Sequence, residues 1–363
     1  PIVSTYLGVD SYLPHDELYV GKIGVKGERA ANIVVQKSDF LLVLGSSLHV
    51  SAIGYNYDQF APSASKWVVD VDATSHKKAT IQNSRFLLSD LRDFIPEMTR
   101  NFGADPSTRL DWSEWAQVAA RLVENFPTCL PEYEQEAHGL NIYTVVDWVS
   151  KKFSPNDVAI SDAGSAFYAV SQGIRLPAGA RYLTSGAMAT MGYSLPAAIG
   201  VAVAKADGRV FAFTGDGSLH QNIQELGQME FLGLPIALVV LDNDGYLSIR
   251  ASQQNYFDKR FIGTDSESGL GLPSIPDIAR AYRLEVIEIE TLIELREALD
   301  SISQTRGPVV LNVKCPPNQP IVPTVSSKID QHGQMSSRNL HDMTPLLDDA
   351  KLLEIMDPTW GFL

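Results

Sequence analysis

The sequence predicts an α/β fold built as two doubly wound parallel-sheet domains. Three observations carry the prediction. Short apolar runs of strand length alternate with stretches at helical spacing. The runs lack the polar alternation of a half-exposed strand, as expected for a sheet covered on both faces. Most runs end in Gly, Ser, Asp or Asn, residues that favour turns.

In chain order, residues 1–100 form the first α/β region. Asp39 to Leu44 (DFLLVL) reads as a buried strand ended by Gly45-Ser46-Ser47, and Lys66 to Val71 (KWVVDV) as another. A helix-like stretch at Glu28 to Gln36 and a loop around Pro62 complete the alternation. Residues 101–140 read as a linker. Asp105-Pro106-Ser107 opens a helical stretch carrying Trp112, Trp115, Ala119 and Leu122, and the acidic run Pro131 to Glu136 follows. A second α/β domain spans residues 141–316. Residues 317–363 form a tail rich in Pro, Ser and Asp, with one helical stretch at Thr344 to Ile355, expected to pack over a surface without forming a core. The first residues, Pro1 to Tyr6, already look like a strand in mid-domain, so the chain is expected to be a fragment of a longer product.

Composition narrows the function. The chain has 363 residues and a net charge of −14, from 43 acidic and 29 basic side chains. A nucleic-acid binder needs a basic surface to neutralise phosphates, and an anionic membrane needs the same. Neither partner is expected. The longest apolar stretch, Phe231 to Leu241, is broken by Pro235 and is far short of the roughly 20 residues a spanning helix needs. Two scattered cysteines, Cys129 and Cys315, suggest a reducing, cytoplasmic setting without disulfides.

The chemistry concentrates between Arg209 and Ile249. Val210-Phe211-Ala212-Phe213 is a buried strand running into Thr214-Gly215-Asp216-Gly217-Ser218. Leu219, Ile223, Leu226 and Met229 then recur at helical spacing, and Pro235 to Leu241 is a second strand ending in Asp242-Asn243-Asp244-Gly245-Tyr246. This is one β-α-β unit. It places Asp216 and Asn243, 27 positions apart, past the carboxyl ends of two parallel strands, the edge where ligands bind. The glycines around Asp216 allow close approach, and the following helix N-terminus offers free N–H groups to an anion. A carboxylate, an amide oxygen and a backbone carbonyl suit Mg²⁺ holding a diphosphate. Each segment alone is an ordinary turn; an EF-hand reading of Asp242 to Gly245 fails at Tyr246 and Leu247.

Gly215-Asp216-Gly217 with Asn243 resembles the cofactor signature of the thiamine diphosphate-dependent enzymes. Ser185 to Gly200 (SGAMATMGYSLPAAIG) resembles the segment beneath the cofactor in acetolactate synthases and related decarboxylases, and Gly24 to Asn32 (GVKGERAAN) their central-domain signature. The resemblance covers nearly the whole chain. It implies a partial central Rossmann-like domain followed by a thiamine diphosphate-binding domain. It implies that Asp216, Asn243 and the Gly245 carbonyl hold Mg²⁺, and that Gly164, Ser165, Gly215, Gly217, Ser218, Tyr246 and Leu247 bind the cofactor. By the same likeness Met191 props the cofactor in its bent form, and the Ala189 carbonyl accepts a hydrogen bond from its amino group. The implied reaction is decarboxylation of a 2-oxo acid with carboligation, in a homodimer or tetramer.

Departures are equally specific. Asp242 replaces the first Asn of the usual pair. Gly45 to Ser51 lacks both arginines of the acetolactate synthase stretch, which counts against FAD. Arg250-Ala251-Ser252-Gln253-Gln254 stands where a Gln-Trp pair often shapes the second-substrate pocket, leaving Ser248 and Ile249 to line it. These departures keep open a decarboxylase or carboligase with a non-pyruvate substrate in polysaccharide or secondary metabolism, and a non-catalytic homologue. Gly21, Gly24 and Gly27 do not match the dinucleotide fingerprint, which argues against an NAD-binding oxidoreductase. His220 either faces the cofactor or lies on the helix surface. Family members carry the glutamate that drives cofactor activation on a preceding domain. The 363-residue chain alone is therefore expected to show no carboligase turnover, and robust product formation from pyruvate by this chain refutes that.

Overall fold

In the computed structural model the chain divides into two units, one of Pro1–Tyr6, His15–Pro127 and Val322–Leu363, the other of Leu7–Pro14 and Thr128–Ile321. The structure describes all residues except 12–16, 75, 78–79, 104–110, 137, 206, 330–333 and 361–363. The expected helix opening at Asp105-Pro106-Ser107 lies outside the described residues.

The first unit holds β1 (Ile2–Ser4) paired in parallel with β2 (Tyr19–Lys22). A separate parallel sheet runs β3 (Phe40–Leu44), β4 (Ser65–Asp70) and β5 (Ser84–Leu88) in consecutive order. The helix Arg29–Lys37 buries Ile33, Val34 and Val35 in the core of this unit. Ala30 and Ala31 are buried beside them, and the other buried positions, Arg29, Asn32 and Gln36, are polar and hydrogen-bonded. Asn32, fully buried, bonds both the N–H and the carbonyl of Gly24 at 2.9 Å and the Leu340 carbonyl at 3.0 Å. Arg29 donates to the carbonyls of Met343 and Pro345, and Gln36 accepts from the Ala61 N–H.

The second unit is organised by one parallel sheet. Its strands are β6 (Val158–Ser161), β7 (Arg181–Thr184), β8 (Val210–Gly215), β9 (Ile236–Asp242), β10 (Glu285–Ile289) and β11 (Val309–Lys314). Their order is β10-β11-β9-β8-β6-β7, parallel at every pairing. The chain steps from β6 outward to β7 and then returns to the other side of β6 with β8. That reversal is a topological switch point, where a crevice opens at the carboxyl ends of β6 and β8. β8 and β9 are buried along nearly their whole length because cores lie on both faces, one around Phe213 and Val239, the other around Ala212 and Leu238. This is the α/β parallel architecture expected from the apolar runs.

The stretch expected as a linker is distributed between the units. The helix Ser113–Asn125 buries Val118, Ala119 and Leu122 in the first core, whereas the 3₁₀ turn Pro131–Gln135 lies in the second unit. The tail joins a core, contrary to expectation. It carries the short antiparallel pair β12 (Ser327–Ile329) and β13 (Met335–Ser337) and the helix Asp349–Met356. Val325, Leu340, Met343 and Ile355 are buried among the first unit's apolar residues. They are spaced too irregularly for periodicity to expose them. No helix among the described residues is long and apolar enough to cross a membrane, and both cysteines are free thiols.

Replacing Asn32 with Ala strands a buried donor and two buried carbonyls at once. Asn32→Ala is expected to cost about 3 kcal/mol in chemical denaturation, while Asn32→Asp, which keeps only the acceptor, costs a similar amount through a buried charge.

Candidate functional site

β6, β8 and β9 end within three residues of one another. Ser161 pairs with Phe213, and Gly215 pairs with Leu241, so the segments that follow these strands meet at one edge. After β6 the chain enters the helix Gly164–Gly173 with Gly164 at φ +55 and no side chain capping its start. After β8, Asp216 opens a four-residue helix. The expected continuous helix beyond it is interrupted. A 3₁₀ segment, His220–Glu225, breaks at Asn222, whose side chain donates to the Gly192 carbonyl at 2.8 Å, before Leu226–Phe231 resumes. Local polar bonding has displaced the helical ladder there.

The edge encloses a cavity of about 110 Å³. Eleven of the expected residues line it. Gly164 and Ser165 come from the β6 helix, Met191 from the segment after β7, and Gly215 and Ser218 from the end of β8. Asn243, Gly245, Tyr246, Leu247, Ser248 and Ile249 supply the wall after β9. Asp216 and Gly217 lie at the same loop without forming the wall. A side chain on Gly217 would sit 2.5 Å from the Tyr246 ring, so that ring covers the Gly-Asp-Gly turn. Ala189, at φ +44, closes the 3₁₀ turn Gly186–Met188 and is absent from the wall. His220 bonds the Pro273 carbonyl through Nε2 at 3.2 Å and does not line the cavity.

Asp216 and Asn243 are both buried. Asp216 Oδ2 accepts the Gly245 N–H at 2.6 Å, which ties the two loops together. Asp216 Oδ1 and Asn243 Oδ1 have no hydrogen-bond partner among the described residues although solvent does not reach them. Burial pushes the Asp216 carboxyl up to about 6; the Gly245 N–H opposes this and the nearby Asp242 carboxylate adds to it. Two orphaned hard oxygens in a buried site are unfavourable unless a ligand completes them. A divalent cation does so, and the donor set of carboxylate, amide and carbonyl oxygen fits one whose remaining ligands come from a diphosphate. Asp242 itself pairs with Lys314, which does not line the cavity, at 3.4 Å and accepts from Asn312 at 3.3 Å.

Asp162 went unnoticed in the sequence. It is fully buried, next in the chain to Ala163 of the cavity wall. Its carboxylate accepts the Tyr193 N–H at 2.9 Å and the Thr214 hydroxyl at 2.5 Å, and Ser218 in turn accepts the Gly192 N–H at 3.1 Å. Burial raises its pKa, with the Thr214 and Ser218 hydroxyls opposing. These bonds fix the Met191 segment against the end of β8. Nothing local in the sequence marks them, because Asp162 and Thr214 are 52 positions apart.

The family models for the thiamine pyrophosphate enzyme C-terminal TPP binding domain and central domain match residues 162–313 and 1–98 respectively. The acetolactate synthase isozyme 1 large subunit of Escherichia coli is 27% identical over 325 residues, covering 90% of this chain and 56% of that protein. The acetolactate synthase large subunit of Cyanidium caldarium is 27% identical over 86% of this chain and 52% of its own length, and that of Lactococcus lactis 25% over 96% and 58%. The chain thus spans somewhat more than half the length of these relatives.

Asp162→Ala removes the acceptor of two or more buried donors. It is expected to destabilise the second unit by about 3 kcal/mol, and Asp162→Asn by less, in chemical denaturation. Together, the two domain matches and the relatives assign the chain to the thiamine pyrophosphate enzymes, whose central and C-terminal domains it carries.

Proposed function

We propose that the chain is the cofactor-holding part of a thiamine diphosphate- and Mg²⁺-dependent enzyme that decarboxylates a 2-oxo acid and transfers the product to an acceptor, as an acetolactate synthase does. The observation that carries this is the pair of buried, unpartnered oxygens, Asp216 Oδ1 and Asn243 Oδ1, on loops joined by the Asp216–Gly245 bond. In this reading Asp216, Asn243 and the Gly245 carbonyl hold Mg²⁺. The backbone of Gly164, Ser165, Gly217 and Ser218 receives the diphosphate, with the uncapped N-terminus of Gly164–Gly173 favouring its charge. Bound thiamine diphosphate supplies the electron sink for decarboxylation.

The chain's own contribution is binding and orientation. Met191 reaches the cavity wall from the segment pinned by Asp162, which gives it a fixed position from which to support the cofactor's bend. Its apolar side chain and Leu247 exclude water from the reacting face. The left-handed Ala189 directs its carbonyl as a hydrogen-bond acceptor for the cofactor's amino group in this reading. Ser248 and Ile249 face the substrate side. The small Ser248 and the absence of the Gln-Trp pair favour a second reading, a decarboxylase or carboligase with a donor other than pyruvate. The full enzyme is expected to be a homodimer or tetramer working in the cytoplasm without FAD.

Asp216→Ala is expected to weaken Mg²⁺-dependent thiamine diphosphate binding by about 100-fold, measured by calorimetry, and unchanged affinity refutes the assigned metal site. The natural gene product given Mg²⁺, thiamine diphosphate and ¹³C-pyruvate is expected to form acetolactate by NMR. Acetaldehyde indicates a decarboxylase, and no consumption with cofactor bound indicates another donor.

A further inference from the structure

We infer that Arg250 is the positioning residue of the metal loop: it braces the main chain of Asn243 and Asp244 from behind, so that the Asn243 side chain and the Gly245 carbonyl face the cavity. The inference rests on the proposed metal site.

From the sequence, Arg250 belongs to the stretch that shapes the substrate pocket. The structure places it elsewhere. Ser248 and Ile249, two and one residues earlier on the helix Leu247–Tyr256, line the cavity, whereas Arg250 does not. Its side chain is only 4% exposed. A buried guanidinium with five N–H donors in a rigid fork is costly unless each direction is met. Here three separate segments meet it. Nη2 donates to the Asn243 carbonyl at 2.9 Å and Nη1 to the Asp244 carbonyl at 3.0 Å. Nε and Nη2 both donate to the Pro317 carbonyl, at 3.1 and 2.5 Å. Nη1 also donates to Asp265 Oδ2 at 3.1 Å.

The loop it holds needs holding. Asp244 and Gly245 take successive positive φ angles, +60 and +109. A non-glycine residue in the left-handed region is unfavourable on its own. The same turn directs the carbonyls of Asn243 and Asp244 away from the cavity, where only a donor can satisfy them. Arg250 is that donor for both. On the other flank, Tyr246 N–H bonds the Thr264 carbonyl at 2.8 Å, and a side chain at Gly245 would overlap that same oxygen. Asp265 accepts the Ser268 N–H at 2.8 Å, so the carboxylate opposite the guanidinium is itself fixed. The pair leaves no net positive charge behind a site meant for a cation.

A lysine cannot reproduce this, because one ammonium cannot span three carbonyl directions in a plane. The role is therefore one of geometry more than of charge. The test compares the wild-type chain with Arg250→Lys and Arg250→Ala. Mn²⁺ affinity in the presence of thiamine diphosphate is read by electron paramagnetic resonance, and amide hydrogen exchange of residues 242–247 is read without metal. Both variants are expected to bind Mn²⁺ at least about tenfold more weakly. Their loop amides exchange faster while those of β8 and β9 stay protected. Millimolar guanidinium is expected to restore Mn²⁺ binding to Arg250→Ala and to leave wild type unchanged, which a merely destabilised protein does not show. If Arg250→Ala does not fold, Arg250→Lys carries the same comparison. Wild-type affinity and wild-type loop exchange in a folded variant overturn the brace. If the wild-type chain binds no Mn²⁺, the functional reading falls, while loop exchange in the metal-free variants still decides whether Arg250 orders the loop.

Discussion

The 2.6 Å hydrogen bond from the Gly245 N–H to Asp216 Oδ2 is the interaction on which the site depends. It joins the loop after β8 to the loop after β9. Without it the two orphaned oxygens have no common position, and neither loop has a reason to keep its turn. The sheet makes the bond possible by ending β8 and β9 one residue apart in register. Arg250 and Asp162 then secure the two sides. One ties the β9 loop to the chain beyond β11, and the other ties the Met191 segment to β8.

Part of this architecture was legible in the sequence. Strands β8 and β9 showed as apolar runs because both faces of a parallel sheet are covered, and their Asp and Asn followed at the ligand edge. Gly164, Ser165, Met191, Tyr246 and Leu247, which line the same cavity, were expected only through the family likeness. Asp162 and Arg250 were not legible as scaffolding. Their partners are mostly main-chain atoms, with a hydroxyl 52 positions from Asp162 and a carboxylate 15 positions from Arg250, and main-chain carbonyls leave no signature in residue type. The tail's place in the core is hidden on a related physical ground. Val325, Leu340, Met343 and Ile355 enter the core singly, each separated by polar residues, so no period announces them. Leu219, Ile223, Leu226 and Met229 keep helical spacing and predict an unbroken helix after Asp216, whereas in the structure the ladder breaks at Asn222, whose side chain bonds the Gly192 carbonyl.

The Asp242 that stands where the family likeness expects asparagine shows how a charge is accommodated beside the proposed metal site. The strand register places Lys314 directly across from Asp242. The ammonium approaches the carboxylate at its exposed side, about half of Lys314 being open to solvent. An ion pair of this kind contributes little stability. Its effect is local, in that a cation sits beside the added negative charge.

The helix Arg29–Lys37 holds the tail in a particular manner. Arg29 donates to the carbonyls of residues 343 and 345, Asn32 to that of residue 340, and Lys37 to those of residues 355 and 357. Every one of these tail acceptors is a main-chain oxygen, which any amino acid provides. The clamp therefore reads the path of the tail and is blind to most of its letters. Evolution is free to rewrite the tail's exposed residues one at a time, whereas a single inserted or deleted residue between 340 and 357 puts the acceptors on one side of it out of step with those on the other. Length, more than composition, is the inherited constraint on this part of the chain.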